Sequence, residues 1–379
     1  MTRDRLKELT LLGQSVWYDY IRRDLYTGPE LQRLIDEDSL RGMTSNPTIF
    51  QKAVANSELY DDFIRQAGDQ GRSAAETFDE LAIEDVCHAA DVFRSVYDQT
   101  GGNDGFVSIE EDPHLARDAQ RSIEEARRLW RACGRPNVMV KIPGTSECLP
   151  AIRQCLAEGI NINITLLFSV PRYRKVIEAY LSALEDRVGQ GLSVDRVRSV
   201  ASFFVSRVDT NTDKKLDFIA TDPWCTSFER ASAQKLRGKL GIANAKLAYH
   251  AFDEAFTTAR FAELKGKGAA VQRPLWASTS SKDPAYPDLY YVEALIAPNT
   301  VDTMPQETFD AFRDHGDPRI RIYEDLPHAW SVLSGLRELH LDAGEIADEL
   351  EGEGLRKFSD SYDAVLKTIE EKERTVRVG

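Results

Sequence analysis

The first residue that needs explaining is a lysine inside an apolar run. Lys141 stands in Val138-Met139-Val140-Lys141-Ile142-Pro143. On periodicity alone the commoner reading is a paired or snorkelling lysine, because an isolated buried ammonium is costly. The other chemistry open to it is a Schiff base. An amine attacks a carbonyl only when neutral, a free lysine is almost wholly protonated at pH 7, and desolvation among apolar neighbours favours the neutral form. Each unit of such a shift costs about 1.4 kcal/mol, which a packed interior can carry.

Other polar residues interrupt or end similar runs. Asp19 follows Val16-Trp17-Tyr18, and Glu110 follows Phe106-Val107-Ser108-Ile109. Taken alone, each is a salt-bridge partner or a helix cap. Beside a Schiff-base lysine they become proton-transfer groups, since forming an imine and cleaving a carbon–carbon bond both need acid and base help. Asn46, Asn163, Thr165 and Ser202 are turn or cap residues on the plain view, Asn46-Pro47 being a turn signal. A ring of such donors also suits a polyhydroxylated substrate. Arg207 lies just beyond Phe203-Phe204-Val205. A lone arginine is more often a surface ion pair, but that position favours a bidentate phosphate clamp.

These side chains need a scaffold that gathers the ends of many strands. Apolar runs predict strands at Ser15–Tyr20, Gly42–Ser45, Gly105–Glu110, Asn137–Ile142, Ile162–Phe168, Val197–Phe204, Pro274–Ser278 and near Val301–Thr303. Several are continuously apolar, as parallel strands buried on both faces are. Helical patterns separate many of them. Pro113 opens a helix with Leu115, Ala119, Ile123, Ala126 and Trp130 on one face, closed by Gly134. Ala245, Tyr249, Phe252, Phe256 and Ala259 mark a helix that ends at Lys265-Gly266-Lys267-Gly268, and Leu355, Phe358, Tyr362, Val365 and Ile369 mark the last one. Strands alternating with helices predict a (β/α)₈ TIM barrel, with a doubly wound open sheet as runner-up. In a barrel, polar residues at strand C-terminal ends face the mouth.

The 379 residues suit one large barrel or two modest domains. No Pro/Gly/Ser linker divides them, so the expectation is a single domain over 1–379 with additional helices. Residues 209–268 form an insertion-sized stretch between the sixth and seventh strands, read as helices outside the barrel that could reach over its mouth. The last helix could also cover the site.

A net charge of −14, with no long basic run, argues against nucleic acid and against an anionic membrane surface. An acidic protein that binds an anionic substrate then needs a local positive site. Met1-Thr2-Arg3-Asp4-Arg5 lacks the apolar stretch of a signal peptide, and no window approaches a spanning helix. Cys87, Cys133, Cys148, Cys155 and Cys225 are odd in number with no Cys-x-x-Cys, the pattern of reduced thiols in a cytoplasmic protein. The six histidines include no His-x-x-x-His pair, so no metal site is expected.

Seven segments, in order, resemble transaldolase, in particular its longer bacterial form. They are Ser15–Asp19, Met43–Phe50, Val138–Thr145, Gly159–Ser169, Ala201–Asp209, Trp276–Pro284 and Tyr291–Thr300, and together they cover almost the whole chain. Each is weakly specific alone; the ordered set is highly specific. The resemblance implies a barrel enzyme of the non-oxidative pentose phosphate pathway that needs neither metal nor organic cofactor. Its substrates would be sugar phosphates. It would move a dihydroxyacetone unit from sedoheptulose 7-phosphate to glyceraldehyde 3-phosphate, giving erythrose 4-phosphate and fructose 6-phosphate. Carried over by position, Lys141 would be the Schiff-base lysine and Asp19 the base for the hydroxyl on the fourth carbon. Glu110 and Thr165 would hold the water of imine formation and hydrolysis. Asn46, Asn163 and Ser202 would hold the hydroxyls of the three-carbon unit, and Arg207 the phosphate.

The sequence departs from the family pattern at three places. Glu110 is followed by Glu111, and strand alternation selects Glu110. Where shorter members carry a second phosphate-binding arginine, this chain reads Ser278-Thr279-Ser280-Ser281-Lys282, which makes Ser280 and Lys282 the candidates. Cys148 stands where a glycine is expected and is read as a tolerated substitution rather than a redox switch. The nearest rival is an aldolase on the same scaffold that splits fructose 6-phosphate. A non-catalytic sugar-phosphate sensor is disfavoured by the presence of Lys141 and Asp19. The sequence allows a homodimer without fixing one.

Overall fold

The apolar runs become eight parallel strands: β1 Gln14–Asp19, β2 Gly42–Thr44, β3 Phe106–Glu110, β4 Val138–Pro143, β5 Ile162–Leu167, β6 Ser199–Phe204, β7 Arg273–Ala277 and β8 Thr300–Met304. They come from a computed structural model that describes residues 4–378, with side chains through 375. The strands pair in chain order and β8 returns to β1, closing the barrel. Every expected strand is present, its ends displaced by no more than two residues. The open-sheet alternative is therefore excluded.

Alternation along the strands builds two environments inside the barrel. Trp17, Phe106, Met139, Val200, Leu275 and Val301 belong to one buried cluster that fills the interior. Two residues farther along β1 and β4 come Asp19 and Lys141, which line the cleft at the strand C-terminal ends. The apolar layer thus excludes water from beneath the polar one. Gly42 makes room for the largest member: a Cβ there would lie 2.6 Å from the Trp17 indole and 2.8 Å from the Phe106 carbonyl oxygen. Gly42→Ala should therefore destabilise the barrel by about 1–3 kcal/mol, as overpacking does. Urea unfolding checks this, and an unchanged midpoint would contradict it.

The strand pattern breaks once. The β5–β6 register shifts between Ile164 and Leu167, and Leu166 has φ +60°. This bulge puts Leu166 into the cluster with Phe204, Leu350 and Phe358 rather than into the layer of helices outside the barrel. Gly354 meets it there, where a Cβ would approach the Leu166 side chain to 2.9 Å.

Two helical expectations need correction, and a third helix extends beyond the residues that marked it. The segment from Pro113 is a 3₁₀ turn, Pro113–Leu115, followed by a separate helix, Ala119–Cys133. Asp112 accepts from the His114 N–H and Asp118 from the Arg121 N–H, so each segment starts under its own cap. Gly134 ends the second one in the left-handed conformation. The Ala245–Ala259 pattern runs across a break, between helices Leu240–Phe256 and Ala259–Gly266. Thr258 is extended and its hydroxyl caps the Phe261 N–H. Residues 209–268 lie in these two helices and in Ser206–Thr221 and Ser227–Leu236. Last, the C-terminal helix is far longer than its apolar stripe indicates, running from Ala343 to Val378. It lies across the barrel mouth and is fastened along its length. Lys215 pairs with Glu349 at 2.9 Å, Arg172 with Glu351 at 3.3 Å, and Thr48 meets Ser361 at 2.8 Å. Lys372 then pairs with Asp61.

Candidate active site

Strand order decides which side chains meet. Glu110 on β3 is in register with Lys141 on β4, and Lys141 with Asn163 on β5. Lys141 Nζ donates to Glu110 Oε2 and to the Ser45 carbonyl oxygen, both at 2.9 Å. The side chains of Lys141 and Glu110 are only 6% and 7% exposed. The Phe358 ring from the C-terminal helix stands 5.7 Å from Nζ and closes the site from above. The lysine is therefore both paired and turned into the mouth. The two readings open to it from sequence are not exclusive.

Glu110 carries the other half of the electrostatics. Burial raises its carboxyl above the ordinary glutamate value, Lys141 pulls it back, and Asp19 pushes it up slightly. Its second oxygen, Oε1, is buried without a partner among the described residues, and so is Thr165 Oγ1. Glu111 points the other way. It accepts from Ser122 Oγ at 3.0 Å, and burial holds its carboxyl well above the ordinary range. Cys148 lies beside that group, fully buried, with its thiol raised by burial. A raised, inaccessible thiol is a poor nucleophile.

The candidate residues converge on one cleft of about 890 Å³. Asp19, Asn46, Lys141, Thr165, Ser202, Arg207, Ser280 and Lys282 all line it. Glu110 and Asn163 stand one step behind. Asn163 donates to Ser108 Oγ at 3.0 Å and accepts from Ser202 Oγ at 2.7 Å, so its amide fixes the Ser202 hydroxyl. Asn46 also caps the helix Pro47–Ala55, accepting from the Ile49 N–H at 3.0 Å, and its cap role leaves the amide nitrogen at the cleft. Burial raises the Asp19 carboxyl above the usual aspartate value, against the pull of Lys141, Arg207 and Lys282.

Positive charge collects on one side of this cleft. Arg207 sits over the Phe204 ring at 5.0 Å, in the first turn of Ser206–Thr221. The Lys282 ammonium donates to Ser280 Oγ. Lys357 joins them from the C-terminal helix: Arg207 first, then burial, Lys282 and Lys52 lower its pKa. Like charges held this close are stabilised by an anion between them. Among the described residues no group of three or more His, Cys, Asp or Glu side chains is placed to hold a metal ion. None of their helices is long and apolar enough to cross a membrane.

A buried lysine paired to a carboxylate in a barrel mouth could serve several chemistries, and comparison with known proteins narrows them. The family model described as Transaldolase/Fructose-6-phosphate aldolase matches residues 16–369. The chain belongs to this family. Curated relatives named transaldolase include the protein of Frankia alni, 46% identical with 96% of each chain covered. Those of Saccharopolyspora erythraea and Acidothermus cellulolyticus are 44% and 46% identical, with 98% of each chain covered.

Three residues of this transaldolase-family site escape a reading of the sequence. Ser108 carries a signal that could have found it, because it alternates in phase with Glu110 on β3. Lys357 and Phe358 carry none. Both sit in an ordinary amphipathic helix, and only the path of that helix over the mouth brings them to Arg207 and Lys141.

Proposed function

We propose that this chain is a transaldolase that uses Lys141 as its Schiff-base nucleophile on sugar phosphates. The observation that carries the proposal is Lys141 Nζ, buried in the barrel mouth between Glu110 and the Ser45 carbonyl, with Asp19 and a basic cluster on the same cleft. Lys141 adds to the ketone carbon of the donor. The carbinolamine then loses its hydroxyl as water and becomes an imine. Glu110 Oε1 and Thr165 Oγ1, both buried and without partners among the described residues, suit a shared water that carries the protons of this step. Asp19 takes the proton of the hydroxyl on the fourth carbon. The bond between the third and fourth carbons breaks toward the protonated imine, the aldehyde leaves, and an enamine of the three-carbon unit stays on Lys141. An incoming aldehyde reverses these steps. Phe358 and the C-terminal helix limit loose water that would protonate the enamine instead.

The phosphate lies with Arg207, Lys282 and Lys357, at the N-terminal end of Ser206–Thr221. Ser202, fixed by Asn163, and Asn46 hold hydroxyls of the transferred unit. Ser280 positions Lys282. Lys357→Ala should raise KM for phosphorylated substrates about tenfold with kcat little changed, since it removes a charge felt equally in ground and transition states. A fall in kcat without a change in KM would contradict this.

Borohydride trapping tests the function. With fructose 6-phosphate alone, reduction should leave a three-carbon adduct on Lys141, located by peptide mass. Adding erythrose 4-phosphate instead of borohydride should yield sedoheptulose 7-phosphate. Absence of any adduct sinks the Schiff base. Steady release of dihydroxyacetone without an acceptor would make the enzyme an aldolase, a reading the names of its curated relatives disfavour. A homodimer is the proposed assembly, and sedimentation velocity tests it: a single species of monomer mass would contradict it.

A further inference from the structure

The barrel has a second cavity at its opposite end, of about 390 Å³, well within the range of small-molecule sites. Its inner wall is apolar and includes Trp17, Phe106 and Met139. Trp17 and Met139 stand two residues before Asp19 and Lys141, so this cavity and the catalytic cleft lie on opposite sides of the interior apolar layer.

Its outer wall carries three cationic side chains, Arg198, Arg273 and Lys265, and one carboxylate, Asp104. Arg273 is already satisfied, bound to Asp104 at 2.9 Å. Arg198 is not. Its guanidinium donates to the backbone carbonyls of Asp195 and Val197 and makes no ion pair among the described residues. Its Nε lies buried within the wall with no hydrogen-bond partner among the described residues, as does Thr10 Oγ1. Burial pulls the Arg198 pKa below the ordinary arginine value. Lys265 stands exposed on the rim and likewise has no ion-pair partner among the described residues. In a chain of net charge −14, a half-buried guanidinium without a carboxylate beside an apolar cavity needs a reason.

We propose that this cavity binds a small aromatic carboxylate, its anionic end on Arg198 and Lys265 and its ring against Trp17, Phe106 and Met139. The apolar wall excludes a small hydrated anion as the best occupant, and the unpaired cation excludes a neutral one. The site is independent of the reaction proposed for the opposite mouth.

Calorimetric titration of the full chain with benzoate tests this, with benzyl alcohol and inorganic phosphate as comparison probes. Benzoate should bind saturably at one site and with the same affinity in Arg207→Ala, which weakens the anion subsite of the other mouth. It should bind at least about tenfold more tightly than benzyl alcohol or phosphate, the worth of one charge-assisted hydrogen bond plus the buried ring. Arg198→Leu should cost at least about tenfold in affinity. Arg198 also ties down backbone, so Lys265→Glu on the exposed rim provides a variant that leaves the core untouched, and about fivefold weaker binding is expected. The proposal is overturned by any of four results: no saturable binding, loss of binding in Arg207→Ala, benzyl alcohol binding as well as benzoate, or wild-type affinity in Lys265→Glu.

Discussion

Lys141→Met should lower kcat by at least about 10⁴-fold and abolish the borohydride-trapped adduct, as expected when a covalent route loses its nucleophile. Methionine keeps the length and apolar stem of the side chain, so the packing around Phe358 and Ile142 is disturbed little. The main structural consequence falls on Glu110. It loses its ion-pair partner while 7% exposed. A charge stranded in that way is costly, about 3–5 kcal/mol when it stays ionised. Glu110 has a way out, because burial already raises its carboxyl and Lys141 is the largest influence holding it down. In Lys141→Met it should take up a proton. The sign follows from linkage. With its folded pKa raised further above the unfolded value, the carboxyl binds its proton more tightly when folded, so the variant loses stability as pH rises through the interval between the two. The variant should therefore lie closest to wild type in unfolding free energy at low pH and fall away toward neutrality. Activity, adduct mass and urea unfolding at two pH values measure the three effects. Retained turnover in Lys141→Met would remove the mechanism entirely.

How much of this was legible in the sequence depends on the range of the interactions involved. Most of the strands announce themselves because they are short apolar runs with a polar residue at or near the C-terminal end, and parallel barrel strands are buried on both faces; β8, Thr-Val-Asp-Thr-Met, is the weakest example. Lys141, Asp19 and Glu110 are visible for the same reason, as exceptions to a strong local pattern. Alternation also sends Glu110 and Glu111 to different sides of the strand, with the ion pair to Lys141 made by the first and the Ser122 bond by the second. Helix boundaries were less legible. The apolar spacing continues through Asp118 and through Thr257-Thr258, while the backbone is interrupted there by caps whose geometry the spacing does not encode. The bulge at Leu166 is hidden altogether, because a left-handed leucine leaves no mark in an apolar run. Lys357 is hidden for a different reason. Its neighbours in sequence are ordinary, and its neighbours in space, Arg207 in the helix after β6 and Lys282 in the loop after β7, are more than seventy residues away. Residues that work through their own strand can be read locally. Those that work through the closing helix need the fold.

Asp19→Asn should lower kcat by about 10²- to 10⁴-fold, the usual worth of a positioned general base, while leaving imine formation intact. The two steps use different groups. In the proposed mechanism imine formation calls on Lys141 and the Glu110–Thr165 pair, and bond cleavage on Asp19 at the end of β1. Borohydride reduction of the variant with fructose 6-phosphate should therefore trap the whole six-carbon phosphate on Lys141 rather than the three-carbon remnant. Only a block between imine and enamine gives that product. The pH profile supplies a second check. Asp19 acts as a base only when ionised, and burial sets its carboxyl above the ordinary aspartate value. The acid limb of the wild-type profile should accordingly fall at higher pH than a free carboxylate would give. Arg207 and Lys282 pull that value down in the free enzyme. A bound phosphate offsets their charge, so the limb should lie higher in kcat than in kcat/KM. Replacing Asp19 should remove this limb from the residual activity. A three-carbon adduct formed by Asp19→Asn at the wild-type rate would show that another group takes the proton. The carboxylates left would then be Glu110, already committed to the lysine, and Glu307 and Glu353 on the cleft wall.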